Sequence, residues 1–467
     1  MTPPDLSVYR LVFRLGDALI RSGASSATTT KALLAVCTRA GLKHPSVSVT
    51  LGQLMVSDQP DDGSPPRTRF HEIEPGALDI RWRTRAEEIT EHYLLGDVGL
   101  EEALEEIEDQ VNQKPSHQWW KLVVGYGVLG TGFGLILGGQ PLTAIGGALT
   151  SMVISFIFRI LGHLGAPGIF GYAAGGFVAV LAATALNTAF SLDQVAVCIV
   201  AAIAARLAGI ASYGAVQDAI TGWYISATGR MMEVATSTAG LVAGVAAGIG
   251  AVRLLWGPSV QLIETVEADT THWTASILGA MFVAAGFTLA SGGWAVRLLA
   301  LTGLGGATEL VYLFLLEVGT TPFLSITVST AITGAACVLI SRPINLSSNA
   351  IMMVSLMPLF PGMLIYQGLL GSLFGLEDSG ATLLEALITA FCLSVGGVLG
   401  QYLFSEGLWL ARRRQFHHTH PGESFSKVMP EEYNSRDIML PVFSKPFNGS
   451  EARPAGRTPK GRPTADA

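Results

Sequence analysis

Residues 119–138 read WWKLVVGYGVLGTGFGLILG. Lys121 is the one charge. The rest is apolar or small over about the length that crosses a bilayer as a helix, roughly 20 residues. Segments of this kind follow one another from Trp119 to Leu410 with few breaks. That array marks an integral, multi-pass membrane protein. The residues before it are polar and patterned like a small soluble domain, and those after it read as a solvated tail.

Composition agrees with this reading. Only 14% of the 467 residues are charged, against about 25% in soluble domains. Mean hydropathy is +0.45. The 54 glycines suit helices in close contact, where small residues let backbones approach. A net charge of −7 leaves no basic footprint for nucleic acid. The four cysteines are scattered, three of them inside apolar spans, so neither a disulfide framework nor a zinc site is expected. No phosphate-binding loop is present, so the chain itself has no evident means of hydrolysing ATP. The first 30 residues hold no continuous apolar run, and no cleavable signal peptide is expected.

The array divides into ten expected spans, at about 119–138, 141–158, 168–187, 194–213, 231–252, 273–291, 295–316, 322–340, 350–372 and 381–410. With the N-terminus cytoplasmic, Lys114, Lys121, Arg159, Arg206, Arg230, Arg297, Arg342 and Arg412–Arg414 fall inside. Only Arg253 falls in the outer connections, which carry Asp193, Glu264, Glu267, Asp269, Glu317, Glu377 and Asp378. Basic residues favour the cytoplasmic side, so this asymmetry fixes the expected orientation and an even number of spans. The loop at 253–272 separates five spans from five. An odd count sends the second half through the membrane in the opposite sense, giving inverted halves.

The expected fold class is therefore an all-α polytopic membrane protein. Its ten transmembrane helices form two five-helix halves, preceded by a small soluble α+β domain. The domains read as 1–115 (cytosolic α+β), 116–252 (first half), 253–272 (external loop), 273–410 (second half) and 411–467 (disordered cytoplasmic tail). Within the first domain, Val8, Leu11, Val12, Leu15, Ala18 and Leu19 recur at helical spacing. Ser22-Gly23 ends that helix, Ser25 or Ser26 caps a second, and Gly41 closes it. Val47–Leu51 alternates like a half-buried strand, Thr68–Ile73 reads as a second and Ala77–Ile80 as a short third, with two helices following. The scattered His44, His71 and His92 match no metal or catalytic motif.

Two interruptions stand out in the array. Gly162–Gly168 reads as an interfacial loop or a simple proline kink, with a functional break as the alternative. Pro358-Leu359-Phe360-Pro361-Gly362 lies deep in a span, where each proline removes a helical N–H and frees a carbonyl. Unsatisfied backbone at that depth is tolerated only where protein or water meets it, so this break is a candidate piece of a substrate path, beside the plainer reading of a proline kink. Charges inside spans are costly and usually face a cavity or a partner. Glu309, midway along the seventh span, is the candidate proton carrier, because burial favours the neutral acid. Asp218 and Arg230 are candidates for transport or coupling, although Arg230 and Glu233 are spaced to pair on one helical face. Asn349, Pro358, Pro361 and Gly362 are the candidate path residues.

These features fall into a pattern. Leu15-Gly16-Asp17-Ala18-Leu19-Ile20-Arg21-Ser22-Gly23-Ala24, the stretch Gly214–Arg230 with Gln217-Asp218, Gly222 and Gly229-Arg230, and Met357-Pro358-Leu359-Phe360-Pro361-Gly362 occur in that order. The chain resembles the threonine/serine exporter family over residues 10–410. Ser25-Ser26-Ala27 departs from the acidic residue that relatives often carry there. The resemblance implies a cytosolic N-terminal domain, two five-span halves, and export of small hydroxy amino acids across the plasma membrane driven by the proton gradient. It implies no enzyme and no cofactor. The expected partners are the amino-acid substrate, protons and the lipid bilayer, with self-association as a homo-oligomer left open. A passive pore for small solutes and a membrane-anchored enzyme remain the alternatives.

Overall fold

The computed structural model describes residues 6–50, 52–60, 63–73, 78–112, 119–190, 194–207, 209–256, 272–375 and 378–419. Residues 6–112 build an α+β unit. Helix α1 (Leu6–Arg21) buries Val8, Leu11, Val12, Leu15, Ala18 and Leu19, the face its apolar spacing sets. Gly23 takes a left-handed φ of 83° after it, and Ser25 caps α2 (Ser26–Arg39) by accepting from the Thr28 amide. Three antiparallel strands follow, β1 (Pro45–Val49), β2 (Gln53–Asp58) and β3 (Arg67–Glu72), in the order β1-β2-β3. The helices α3 (Ile80–Leu95) and α4 (Leu100–Asn112) complete the unit.

Two corrections arise here. The central strand β2 was not anticipated, although Leu54 and Val56 alternate into the core. Instead of a third strand over Ala77–Ile80, Asp79 caps α3, its carboxylate accepting from the amides of Arg81 and Trp82. Residues 74–77 lie outside the described residues.

Among the described residues, nine helices are long and apolar enough to cross a membrane. They comprise α5 (Trp119–Ile136), α6 (Pro141–His163), α7 (Gly168–Phe190), α10 (Tyr224–Trp256), α11 (Trp273–Ala290), α12 (Val296–Glu317), α13 (Pro322–Ser341), α15 (Gly362–Phe374) taken together with the 3-10 turn that leads into it (Met357–Phe374), and α16 (Ser379–Thr419). The protein is thus a multi-pass membrane protein. The expected fourth span, 194–213, is not one continuous helix. It consists of α8 (Val195–Ile203), a 3-10 turn at Ala204–Arg206 and α9 (Gly209–Ile220). The expected ninth span likewise consists of α14 (Ser348–Ser355), a 3-10 turn at Met357–Leu359 and α15. The Gly162–Gly168 interruption is a connection between α6 and α7. Helix α16 continues to Thr419, so residues 411–419 are helical where a disordered tail was expected; residues 420–467 lie outside the described residues. Of the 253–272 loop, residues 257–271 do as well.

Backbones approach most closely where glycines face each other. A Cβ on Gly125 would stand 2.6 Å from the Gly286 carbonyl oxygen, and one on Gly286 would stand 2.5 Å from that of Gly125. Gly132 and Gly279 repeat the reciprocal contact two turns along, so α5 and α11 cross antiparallel with their backbones in close approach. The pairs α7–α10 and α13–α16 pack alike, side by side and parallel. Gly244 lies against the Ala173 carbonyl, and Gly400 against that of Ala331.

The α+β unit rests on one end of the bundle. Ser26 Oγ donates to Ser226 Oγ at 2.8 Å, and the Ile80 amide donates to the Ser291 carbonyl at 2.8 Å. Asn345 Nδ2 donates to Glu88 Oε1 at 2.5 Å. These contacts meet the start of α10, the α11–α12 turn and the segment before α14.

Candidate functional site

The two interrupted helices meet in the middle of the bundle. In the second, Pro358 and Pro361 cannot donate, and the chain passes through the 3-10 turn and an extended Phe360 (ψ 137°) before α15 begins at Gly362. The first break contains no proline. Its turn ends at Arg206, and Leu207 is extended at ψ 146°. The Arg206 guanidinium lies 4.1 Å from the ring of Tyr126 and 4.1 Å from that of Phe158, an aromatic clamp for a cation inside the bundle. Each second segment reaches across the molecule. Tyr213 of α9 stacks on Phe360 with ring centroids 5.4 Å apart, and it belongs to the core formed by α11–α14. Tyr366 of α15 belongs instead to the core formed by α7, α8 and α10.

Where these segments touch, the buried contacts turn polar. Gln217 Nε2 on α9 donates to Asn349 Oδ1 on α14 at 3.1 Å. This bond leaves Gln217 Oε1 and Asn349 Nδ2 buried without a partner. One residue further along α9, Asp218 forms an ion pair with Arg230 of α10, Nε to Oδ2 at 3.0 Å. Asp218 is 1% exposed and the arginine side chain 15%. Arg230 is therefore neutralised by Asp218 and not by Glu233, which lies exposed on α10. A charge pair at this depth needs such geometry to offset the loss of water.

Glu309 lies apart. It is 5% exposed on α12, and its Oε2 has no partner. Next to it, Thr308 Oγ1 pairs with Thr333 Oγ1 at 2.8 Å. Among the described residues no hydrogen bond or ion pair joins Glu309 to Asp218 or Arg230. The structure thus joins Asn349 to the Asp218 segment through Gln217, sets Pro358, Pro361 and Gly362 at the break beyond α14, and keeps Glu309 on a neighbouring helix.

Sequence reasoning passed over Tyr213, Gln217 and Gln401 as site residues, and the break after Ile203. Gln401 is 2% exposed on α16, with both amide atoms unpartnered. The available signal was an amide inside an apolar run. A search for charge does not register it, because amides are neutral, yet burial without a partner is costly for them too.

A bundle of membrane-crossing helices, two of them interrupted around a buried polar junction, is an arrangement that membrane transporters use. Comparison of the sequence with known families agrees. Residues 10–251 match the model described as "Putative threonine/serine exporter", and residues 275–403 match that described as "Threonine/Serine exporter, ThrE". The chain belongs to the threonine/serine exporter family. It is similar to a "Threonine/serine exporter" of Corynebacterium glutamicum, at 28% identity over 90% of this chain and 86% of that one. It is also similar to a "Probable threonine/serine exporter" of Mycobacterium tuberculosis (strain ATCC 25618 / H37Rv), at 26% identity over 85% of this chain and 76% of that one. No solved structure matches significantly.

Proposed function

We propose that this protein is a secondary transporter that exports threonine and serine across the plasma membrane, driven by the proton gradient. The observation that carries the reading is the Gln217–Asn349 bond, a buried polar junction where two interrupted helices meet. Secondary transporters place substrate sites at such junctions near the midplane. In this reading α8 and α9 together make the tenth crossing, and 116–252 and 273–410 are two five-span halves of inverted topology. Three features support the inversion: the antiparallel, reciprocal α5–α11 contact, the like packing of α7–α10 and α13–α16, and one break in each half. Both termini are cytoplasmic, residues 1–115 form a cytosolic domain, and 253–272 is the external loop. Asn349, Pro358, Pro361 and Gly362 line the path with Asp218 and Arg230, and Glu309 carries the proton.

The test is efflux of labelled threonine and serine from proteoliposomes, with and without an uncoupler. Export that collapses with the uncoupler is expected. Export that persists would make the protein a passive pore, and export of neither amino acid would remove the substrate assignment. Glu309→Gln is expected to flatten the pH dependence of efflux; an unchanged profile would take the proton role from Glu309.

A further inference from the structure

Resting on that reading, we propose that Tyr213, Gln217 and Gln401 join Asn349 to form the pocket that recognises the side-chain hydroxyl of the exported amino acid. Three helices converge there. Ser394 Oγ of α16 donates to the Tyr213 carbonyl of α9 at 3.4 Å. A Cβ on Gly397, one turn along α16, would lie 3.6 Å from Tyr213 Oη and 2.5 Å from Met352 Cε of α14. Moving one turn from that level along each helix reaches Gln217 on α9, Asn349 on α14 and Gln401 on α16. The Gln217–Asn349 bond closes two corners of this triangle. The absence of a side chain at Gly397 leaves α14 and α9 free to approach the third.

The polar inventory of this junction is unbalanced. Tyr213 Oη, Gln217 Oε1, Asn349 Nδ2 and both amide atoms of Gln401 lack partners, and each of the four residues is at most 4% exposed. Buried amides and phenols are ordinarily satisfied, so such a concentration of orphans needs an explanation. Together they offer donors (Tyr213 Oη, Asn349 Nδ2, Gln401 Nε2) and acceptors (Gln217 Oε1, Gln401 Oε1). A hydroxyl is the group that needs one of each. The pocket holds no net charge of its own, which suits a neutral side chain. The paired Asp218 and Arg230 begin one residue further along α9.

A site built to hydrogen-bond a hydroxyl rejects the analogue without it far more strongly than an apolar pocket does, because its polar groups would otherwise stay unpaired. Valine is threonine with a methyl in place of the hydroxyl. In proteoliposomes, the wild type should therefore export threonine and discriminate against valine. Gln217→Met and Gln401→Met keep side-chain length and remove the amide. Each should lower the threonine-to-valine ratio of kcat/KM by about ten-fold or more, mainly through the KM for threonine. A merely structural role would lower export of every substrate alike, or reduce the amount of protein in the membrane, and leave the ratio unchanged. That result overturns the proposal. If the Met variants fail to accumulate, Gln217→Asn and Gln401→Asn, which withdraw the amide by one methylene, must shift the same ratio or the proposal falls. If the wild type exports neither threonine nor serine, the substrate assignment fails separately. The pocket is then judged by thermal shift of the purified protein with threonine, serine, homoserine and glycerol against valine and alanine. Stabilisation by a hydroxylated compound that Gln401→Met abolishes sustains the pocket, and stabilisation by none refutes it.

Discussion

At the level of single residues, the Asp218–Arg230 pair gives the sharpest expectation. Removing one partner leaves a buried charge uncompensated, which typically costs about 3–5 kcal/mol. Asp218→Asn and Arg230→Gln should each lower the melting temperature of the purified protein markedly. The double variant should recover part of the loss, which a double-mutant cycle would measure. Cys37 offers a second test, in the α+β unit. Burial, followed by the nearby Asp58 carboxylate, pushes its thiol up from 9.0 to about 12. The fold therefore favours the neutral thiol. The stability this contributes is fully present below pH 9 and is lost as pH rises towards 12. At pH 8 a maleimide should leave Cys37 unlabelled in the folded protein and label it on unfolding. Among these residues Asp218, Arg230 and Glu309 were legible in the sequence because charge inside an apolar run is conspicuous. Gln217 and Gln401 were not, since only the three-dimensional arrangement shows that their amides lack partners.

The elements divide along a similar line. The break at 357–361 was legible because proline announces it, and the capped helices α1 and α2 were legible from spacing and Ser25. The break at 204–206 has no proline, and only packing around Arg206 reveals it. Strand β2 was missed because its polar flanks merge with the turn that follows; pairing with β1 and β3 defines it. The glycine contacts give a test at this scale. Gly244→Val and Gly400→Val would drive a side chain into the Ala173 and Ala331 carbonyls, and each should sharply reduce the folded protein recovered from membranes. Gly250→Ala meets nothing within 4 Å and should be recovered like the wild type. Fluorescence-detected size-exclusion profiles distinguish these outcomes.

For the whole molecule, the placement of the α+β unit against the bundle could not be read from sequence, because each contact joins residues far apart in the chain. Ser26 and Ser226 are close enough that Ser26→Cys with Ser226→Cys should form a disulfide under mild oxidation, seen as a redox-dependent gel shift. Absence of the bridge would contradict this docking. The same placement has a mechanical result. Asn345 holds a left-handed backbone at φ 49°, unusual for a residue with a side chain. Glu88 grips its side chain, and Arg297 donates to its carbonyl and to that of Ile344, each at 3.0 Å. One turn of chain later comes Asn349, whose side-chain amide oxygen accepts from Gln217. The α+β unit and the Gln217–Asn349 junction are therefore linked through one short stretch of chain, among the contacts that seat the unit on the bundle: a displacement of α3 that moved Asn345 would reach, four residues on, the side chain that holds Gln217.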